Sequence, residues 1–264
     1  MAATTIDDIV AALRDRLPQV LVAVDFDGTL APIVPDPTQS QPVSGAIAAL
    51  AELARHGAAV AVITGRDAET AVRLGGLDRV PGIRVAGLYG IETWYDGRLS
   101  TVDEPPQLNA LRERLPAVVA AAATDPQVWI EDKRLSLVVH ARKAANPAQQ
   151  LALVREPVVR LAGELGLEPH PGRGVLEIRI PGHDKGRALR QLVTETGRAA
   201  VLFAGDDVGD LPAIEEVRRM AAAGAAAFAV AIGTADGTEL ADAADATVAD
   251  PEAMAALLHS LAGA

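Results

Sequence analysis

An apolar run, Leu21-Val22-Ala23-Val24, ends in Asp25-Phe26-Asp27-Gly28-Thr29-Leu30, and few folds accommodate that succession. The valine-rich run reads as a buried strand. If strand geometry continues past it, Asp25 and Asp27 point the same way. Gly28 then allows a sharp turn of the backbone. Two carboxylates held together repel unless something cationic sits between them. The carboxyl end of a strand is also where open α/β sheets bind ligands. A lone Asp-x-Asp reads as an acidic turn; the full string after a hydrophobic strand points to chemistry.

A buried strand needs a core around it. The chain has 264 residues, half of them hydrophobic, which allows one large domain or a core with a smaller companion. Aromatics are only 3%, so that core is built of Ala, Val, Leu and Ile. Cysteine is absent, which excludes disulfides and thiolate metal sites. The net charge is −11 with no basic run, so nucleic acid is not an expected partner. An anionic substrate would need a local cation or a few placed basic residues. The sequence shows no signal peptide and no apolar stretch of about 18 residues, so no membrane partner and a cytoplasmic location are expected.

Taken in order, residues 5–17 carry apolar positions at helical spacing, with Thr5 as a cap. The strand follows, then a proline-rich loop over 31–37. A helix is expected over 43–56, a second strand over 58–63, a helix to about Leu74 and a third strand over 83–87. This alternation predicts a parallel sheet with helices on both faces. Asp96-Gly97 is a turn signal. From Asp103 the texture changes to a helix (107–124), two strands (127–132, 135–141), a helix (147–165) and a strand (174–180). That is a compact α+β unit. The first pattern then resumes: helix 184–196, strand 199–204, a helix to Met220, strand 226–232, a loop through Gly233 and Gly237, and a last helix over 251–262. The expected fold is α/β, a Rossmann-like parallel-sheet core (1–103 and 182–264) with a smaller α+β cap domain inserted at 104–181.

The three core strand ends in Asp25/Asp27, Thr64 and Asp206/Asp207/Asp210 lie on one edge of such a sheet, and Lys185 opens a helix. Singly, Thr64 reads as a helix cap, Lys185 as a solvated lysine and Asp206-Asp207 as a capping pair. As an acidic set they call for a hard divalent cation, and oxygen-only ligands favour Mg2+. The ordered set Asp-x-Asp, Thr64-Gly65-Arg66, Asp184-Lys185-Gly186 and Gly205-Asp206-Asp207-x-x-Asp210 resembles the four motifs of the haloacid-dehalogenase-like hydrolases, mostly magnesium-dependent phosphatases. The resemblance implies that Asp25 is the nucleophile and Asp27 the acid and base. It also implies that Thr64 and Lys185 hold phosphoryl oxygens. The metal would be bound by the Asp25 carboxylate, the Asp27 main-chain carbonyl and Asp206, with Asp207 and Asp210 acting through water or behind the ligands.

The inserted unit contains Glu131-Asp132-Lys133-Arg134-Leu135-Ser136-Leu137-Val138-Val139-His140-Ala141-Arg142 and Gly174-Val175-Leu176-Glu177-Ile178-Arg179. By composition alone these strands equally suit a solvated face. Together with Asp-Gly-Thr-Leu-Ala-Pro-Ile and Gly-Leu-Tyr-Gly-Ile-Glu (87–92), they resemble the trehalose-6-phosphate phosphatases from about Asp25 to Asp210. The resemblance implies that Glu131, Lys133 and Glu177 bind hydroxyls of the distal glucose. It places Gly65, Arg66, His140 and Arg142 among the substrate-binding residues. The implied partner is a small-molecule sugar phosphate, and a monomeric state is left open. Gly209 stands where that family usually has Thr, Leu211-Pro212 where acidic residues follow, and Thr64 where Ser is commoner. Phosphatases of other sugar phosphates, such as sucrose phosphate or a mannosyl phosphate compound, share the chemistry. A sensor without turnover shares the binding.

Overall fold

The computed structural model describes residues 4–172, 174–233 and 238–263. The loop expected through Gly237 lies largely outside them, as does Arg173. The chain divides into two compact units, one from the segment up to Thr101 with that from His183 onward, the other Val102–Gly182.

In chain order, the larger unit begins with α1 (Ile6–Arg14), β1 (Val20–Val24), α2 (Ala46–Arg55), β2 (Ala59–Ile63), α3 (Ala68–Gly75), β3 (Arg84–Gly87), β4 (Glu92–Tyr95) and β5 (Arg98–Thr101). The smaller unit holds α4 (Pro106–Ala122), β6 (Trp129–Asp132), β7 (Ser136–His140), α5 (Pro147–Glu164), β8 (Glu168–Gly172) and β9 (Val175–Arg179). The larger unit resumes with α6 (Lys185–Thr196), β10 (Ala200–Gly205), α7 (Leu211–Ala222), β11 (Ala226–Ile232), α8 (Thr238–Ala243), β12 (Ala246–Val248) and α9 (Pro251–Ala262). Thr5 starts α1 through a reciprocal cap: its hydroxyl accepts from Asp8 N, and the Asp8 carboxylate accepts from Thr5 N.

The larger sheet has the order β12-β11-β10-β1-β2-β3-β4-β5. From β12 to β3 neighbouring strands are parallel. β1 therefore lies centrally, with the later strands β10–β12 on one side and β2 and β3 on the other. That reversal of strand order is a topological switch point, where the loops at the carboxyl ends part and leave a crevice. All five residues of β1 are buried. Val20, Val22 and Val24 pack with Leu50 and Leu53 of α2 and Leu258 and Leu261 of α9 on one face. Leu21 and Ala23 pack with Leu189 of α6 and Ile214 of α7 on the other. A strand covered on both faces has no polar positions to alternate with, hence the unbroken apolar run.

Beside the parallel core, one edge of the sheet carries an antiparallel extension that the sequence reading does not include. β4 and β5 run antiparallel to β3 and to each other. Asp96 (φ 50°) and Gly97 (φ 73°) supply the two left-handed residues of a tight hairpin turn. The turn signal was visible, but the short strands around it were not.

In the smaller unit an antiparallel sheet of order β6-β7-β9-β8 is covered on one face by α4 and α5. Leu137, Val139, Leu176 and Ile178 are buried, as are Leu111 and Leu115 of α4 and Val154 and Val158 of α5. Because cross-strand partners share a face, Glu131, Val138, Glu177 and His170 form one row on the opposite side. The unexpected strand here is β8, Glu-Pro-His-Pro-Gly. Its two prolines cannot donate to a ladder, and β8 tolerates them because it lies at the sheet edge. Among the described residues no helix is long and apolar enough to cross a membrane.

Candidate active site

The motif residues of the larger unit come together where β1 and β10 lie side by side. Asp25 leaves β1 with its amide donating to Ala204 O of β10 at 2.9 Å. Asp206 follows β10 directly. Asp25, Asp206 and Asp210 are all buried, and each offers an oxygen within 4.8 Å of the others. Between them sits the buried ammonium of Lys185, 2.8 Å from Asp25 Oδ1 and 2.7 Å from Asp210 Oδ1. Lys185 is the first residue of α6, whose N-terminus is capped by Asp184 accepting from Arg187 N at 2.7 Å. That cap fixes the direction from which the lysine enters.

Two glycines make this proximity sterically possible. Gly28 has φ +82°, and a Cβ there would lie 2.0 Å from Asp206 Oδ2. A Cβ on Gly205 would lie 2.3 Å from Asp210 Cγ. The backbone after β1 is thus pressed against the carboxylate that follows β10.

The electrostatics of the cluster are unbalanced. Burial pushes the Asp25 carboxyl well above its usual range, while Lys185 pulls it down. Burial also raises Asp210 against the same lysine. Asp206 is pushed up to about 7, by burial and then by the charges of Asp210 and Asp207. Burial works against the Lys185 ammonium, but Asp210, Asp25 and Asp207 push its pKa upward, so it stays charged. Three buried carboxyls against one ammonium cannot all stay ionised in a dry interior without further positive charge. The donor set fits a hard divalent cation: oxygen ligands only, buried and convergent, with a side-chain-free approach at Gly28.

Asp27 stands apart from this cluster. Arg66 Nε donates to its Oδ2 and Arg66 Nη2 to its Oδ1, both at 2.6 Å, and Ser40 Oγ donates to Oδ1 at 2.9 Å. Thr64, buried at the end of β2, accepts from Arg66 N at 3.1 Å. The N-cap of α3 is instead Asp67, so Thr64 does not cap the helix. Gly65 packs beneath the ring of Tyr89. Asp207 is exposed and caps the short turn Val208–Asp210, accepting from Gly209 N at 2.8 Å. Its own amide donates to Asp210 Oδ2 at 3.2 Å. Ser40 was not singled out by sequence, because it lies in a proline-rich loop with no motif around it.

In the smaller unit, Glu131 Oε2 lies 2.7 Å from His140 Nε2. The His140 ring is stacked on Trp129, centroids 4.4 Å apart. Burial pushes the imidazole below its usual range, against the pull of Glu131. Glu177 Oε1 accepts from Ser136 Oγ at 2.7 Å and lies 3.9 Å from Lys133 Nζ, while Oε2 lies 3.9 Å from Arg179 Nε. Arg142 is exposed just beyond β7. Trp129, Ser136 and Arg179 are neighbours that sequence did not select. The period-two alternation through Glu131 and Glu177 was the available signal.

A switch-point sheet carrying acidic strand ends and an inserted α+β unit defines the chain as a haloacid-dehalogenase-like hydrolase fold. A haloacid dehalogenase-like hydrolase from Bacteroides thetaiotaomicron matches with TM-score 0.66 at 16% identity, over 90% of this chain and 97% of that one. Within that class the chain belongs to the trehalose-phosphatase family, whose model matches residues 23–251. The trehalose-phosphate phosphatase of Mycobacterium marinum is 37% identical over 218 residues, 76% of this chain and 52% of that protein. The chain thus spans about half the length of the curated relatives it matches. The C-terminal domain of C. albicans trehalose-6-phosphate phosphatase shares the fold with TM-score 0.81 at 21% identity, over 100% of this chain and 99% of that one.

Proposed function

We propose that this chain hydrolyses trehalose 6-phosphate to trehalose and phosphate with Mg2+ as cofactor. The observation that carries the reading is the buried cluster Asp25–Lys185–Asp210–Asp206 at the switch point, in a member of the trehalose-phosphatase family. Asp25 attacks phosphorus, and the bond to the sugar oxygen breaks with its electron pair leaving on that oxygen. Asp27 gives that oxygen a proton. Water then attacks the aspartyl-phosphate, loses its proton to Asp27, and Asp25 is released. Lys185 and Thr64 would hold non-bridging oxygens. Asp25, Asp206 and the Asp27 carbonyl would hold Mg2+, with Asp207 and Asp210 behind them, and the ion would supply charge neutralisation for the approaching phosphate.

The sugar is selected by residues of the inserted unit, Glu131, Lys133, Glu177, His140 and Arg142. Their support is the polar sheet face on which Glu131, His140 and Glu177 share a side. A phosphate-release screen over trehalose, sucrose, mannosyl and glucose phosphates tests the reading. Highest kcat/KM for trehalose 6-phosphate is expected; preference for another member moves the assignment to that sugar, and binding without turnover makes the chain a sensor.

A further inference from the structure

Asp27 is asked to give up a proton in one half-reaction and take one in the next, so the orientation of its carboxylate matters twice. The three hydrogen bonds to it are specific. Oδ1 accepts from both Arg66 Nη2 and Ser40 Oγ, which uses both of its lone pairs. Oδ2 accepts from Arg66 Nε alone, which leaves one lone pair free. The guanidinium is fixed in turn: its Nη1 donates to Pro37 O at 2.8 Å, and its carbon lies 5.5 Å from the centre of the buried Phe26 ring. Ser40 is 1% exposed, so its hydroxyl has no water to exchange with. The Asp27 side chain itself is 36% exposed, so its carboxylate is open to an incoming group.

We propose that Arg66 and Ser40 are positioning residues for Asp27, and that Oδ2 is the atom that exchanges the proton with the leaving oxygen and with water. The inference rests on the proposed reaction and assigns Arg66 a different task from the phosphate or sugar contact expected of a Thr-Gly-Arg motif. A planar fork gripping both oxygens stops rotation about the carboxylate axis, and Ser40 distinguishes one oxygen from the other. The segment after β1 holds both clamps: it carries Ser40 just beyond the short helical turn Pro37–Gln39, and its Pro37 carbonyl steadies Arg66. Misplacing a catalytic group by about 1 Å can cost on the order of a hundredfold in rate.

The leaving group separates positioning of an acid from binding of phosphate. Nitrophenolate departs as an anion and needs no proton, whereas a sugar alkoxide does. Water attack in the second half-reaction needs the base whichever ester was used. Rapid-mixing kinetics of the Mg2+-loaded protein are therefore the test. In Arg66→Met, p-nitrophenyl phosphate should release a fast burst of about one equivalent of nitrophenol, within roughly threefold of the Asp27→Asn burst rate. Slow turnover should follow, reduced roughly 10–100-fold. Trehalose 6-phosphate should give no burst. Inhibition by inorganic phosphate should be unchanged, and Arg66→Met/Asp27→Asn should be no slower than Asp27→Asn. Ser40→Ala, which alters no charge, should give the same pattern to a lesser degree and serves if Arg66→Met does not fold. A slowed burst with weaker phosphate inhibition, additive with Asp27→Asn, overturns the inference and makes Arg66 a phosphate ligand. Asp25→Asn must abolish the burst; a burst there overturns the reaction itself.

Discussion

Asp25 and Asp27 are two residues apart yet sit in different electrostatic worlds. Asp25 is buried against Lys185, and Asp27 is held at a half-open surface by Arg66. This division of labour suits a nucleophile and a proton carrier. Asp25→Asn should leave the fold intact and lower phosphate release by several orders of magnitude, because an amide offers no anionic oxygen to phosphorus. Phosphate release near the wild-type rate would remove Asp25 from its role. At this scale the sequence was highly informative. Asp25, Lys185, Asp206 and Asp210 were each set off by a short motif, and they meet. What spacing could not convey is which oxygen faces which donor. The Asp27–Ser40 bond depends on the path of a proline-rich loop, and the outward turn of Asp207 depends on a cap formed three residues on.

Elements were legible where burial imposes a period. The continuous apolar runs of β1, β2 and β10 and the amphipathic helices around them stood out. The missed pieces, β8, β12, α8 and the β4–β5 hairpin, are short or lie towards sheet edges, where half-exposed chain carries little pattern and even proline is tolerated. Helices α6 and α7 are joined by a clasp that no motif announces. Glu216 of α7 is 3% exposed and accepts from Arg190 Nη2 of α6 at 2.8 Å and from Arg219 Nε at 3.0 Å. Hydrogen bonds from Arg219, against burial and joined by those from Arg190, hold its carboxyl down to about 2 from the ordinary 4.5. A carboxyl lowered on folding stabilises fully above its unfolded value and loses that contribution as pH falls through the folded one. Glu216→Gln should therefore destabilise the protein at pH 7 by about 1–2 kcal/mol, discounted for the two exposed guanidinium partners. The gap from wild type should narrow between about pH 4.5 and 2. Urea titrations at pH 6 and pH 3 check this; an equal gap at both would mean the clasp works by packing alone.

In the proposed reaction the whole chain separates two tasks, phosphate chemistry at the sheet of the larger unit and sugar recognition on the polar face of the smaller sheet. Glu131→Ala, Lys133→Ala and Glu177→Ala should each lower kcat/KM for trehalose 6-phosphate about ten- to a hundredfold, the worth of a charged hydrogen bond. Hydrolysis of p-nitrophenyl phosphate should persist. Parallel loss on both esters would assign these residues to folding. Chelation should stop turnover, and Mg2+ should raise the melting temperature, since an ion that binds only the folded cluster stabilises it by mass action. Calcium, with more ligands at longer distances, should restore stability but not rate. The central pairing of the sheet carries a further consequence, for the order in which the molecule can assemble. Val20 lies in register with Ala200, so the strand that leads to Asp25 is synthesised well before its neighbour β10. Closing so long a loop makes the last pairing entropically slow. Until β10 emerges from the ribosome, β1 is an open, wholly apolar edge, the kind of surface to which other chains add strands. A nascent chain halted after Thr101 would present that edge to the cell, so exposure to aggregation is greatest between the synthesis of β1 and that of β10.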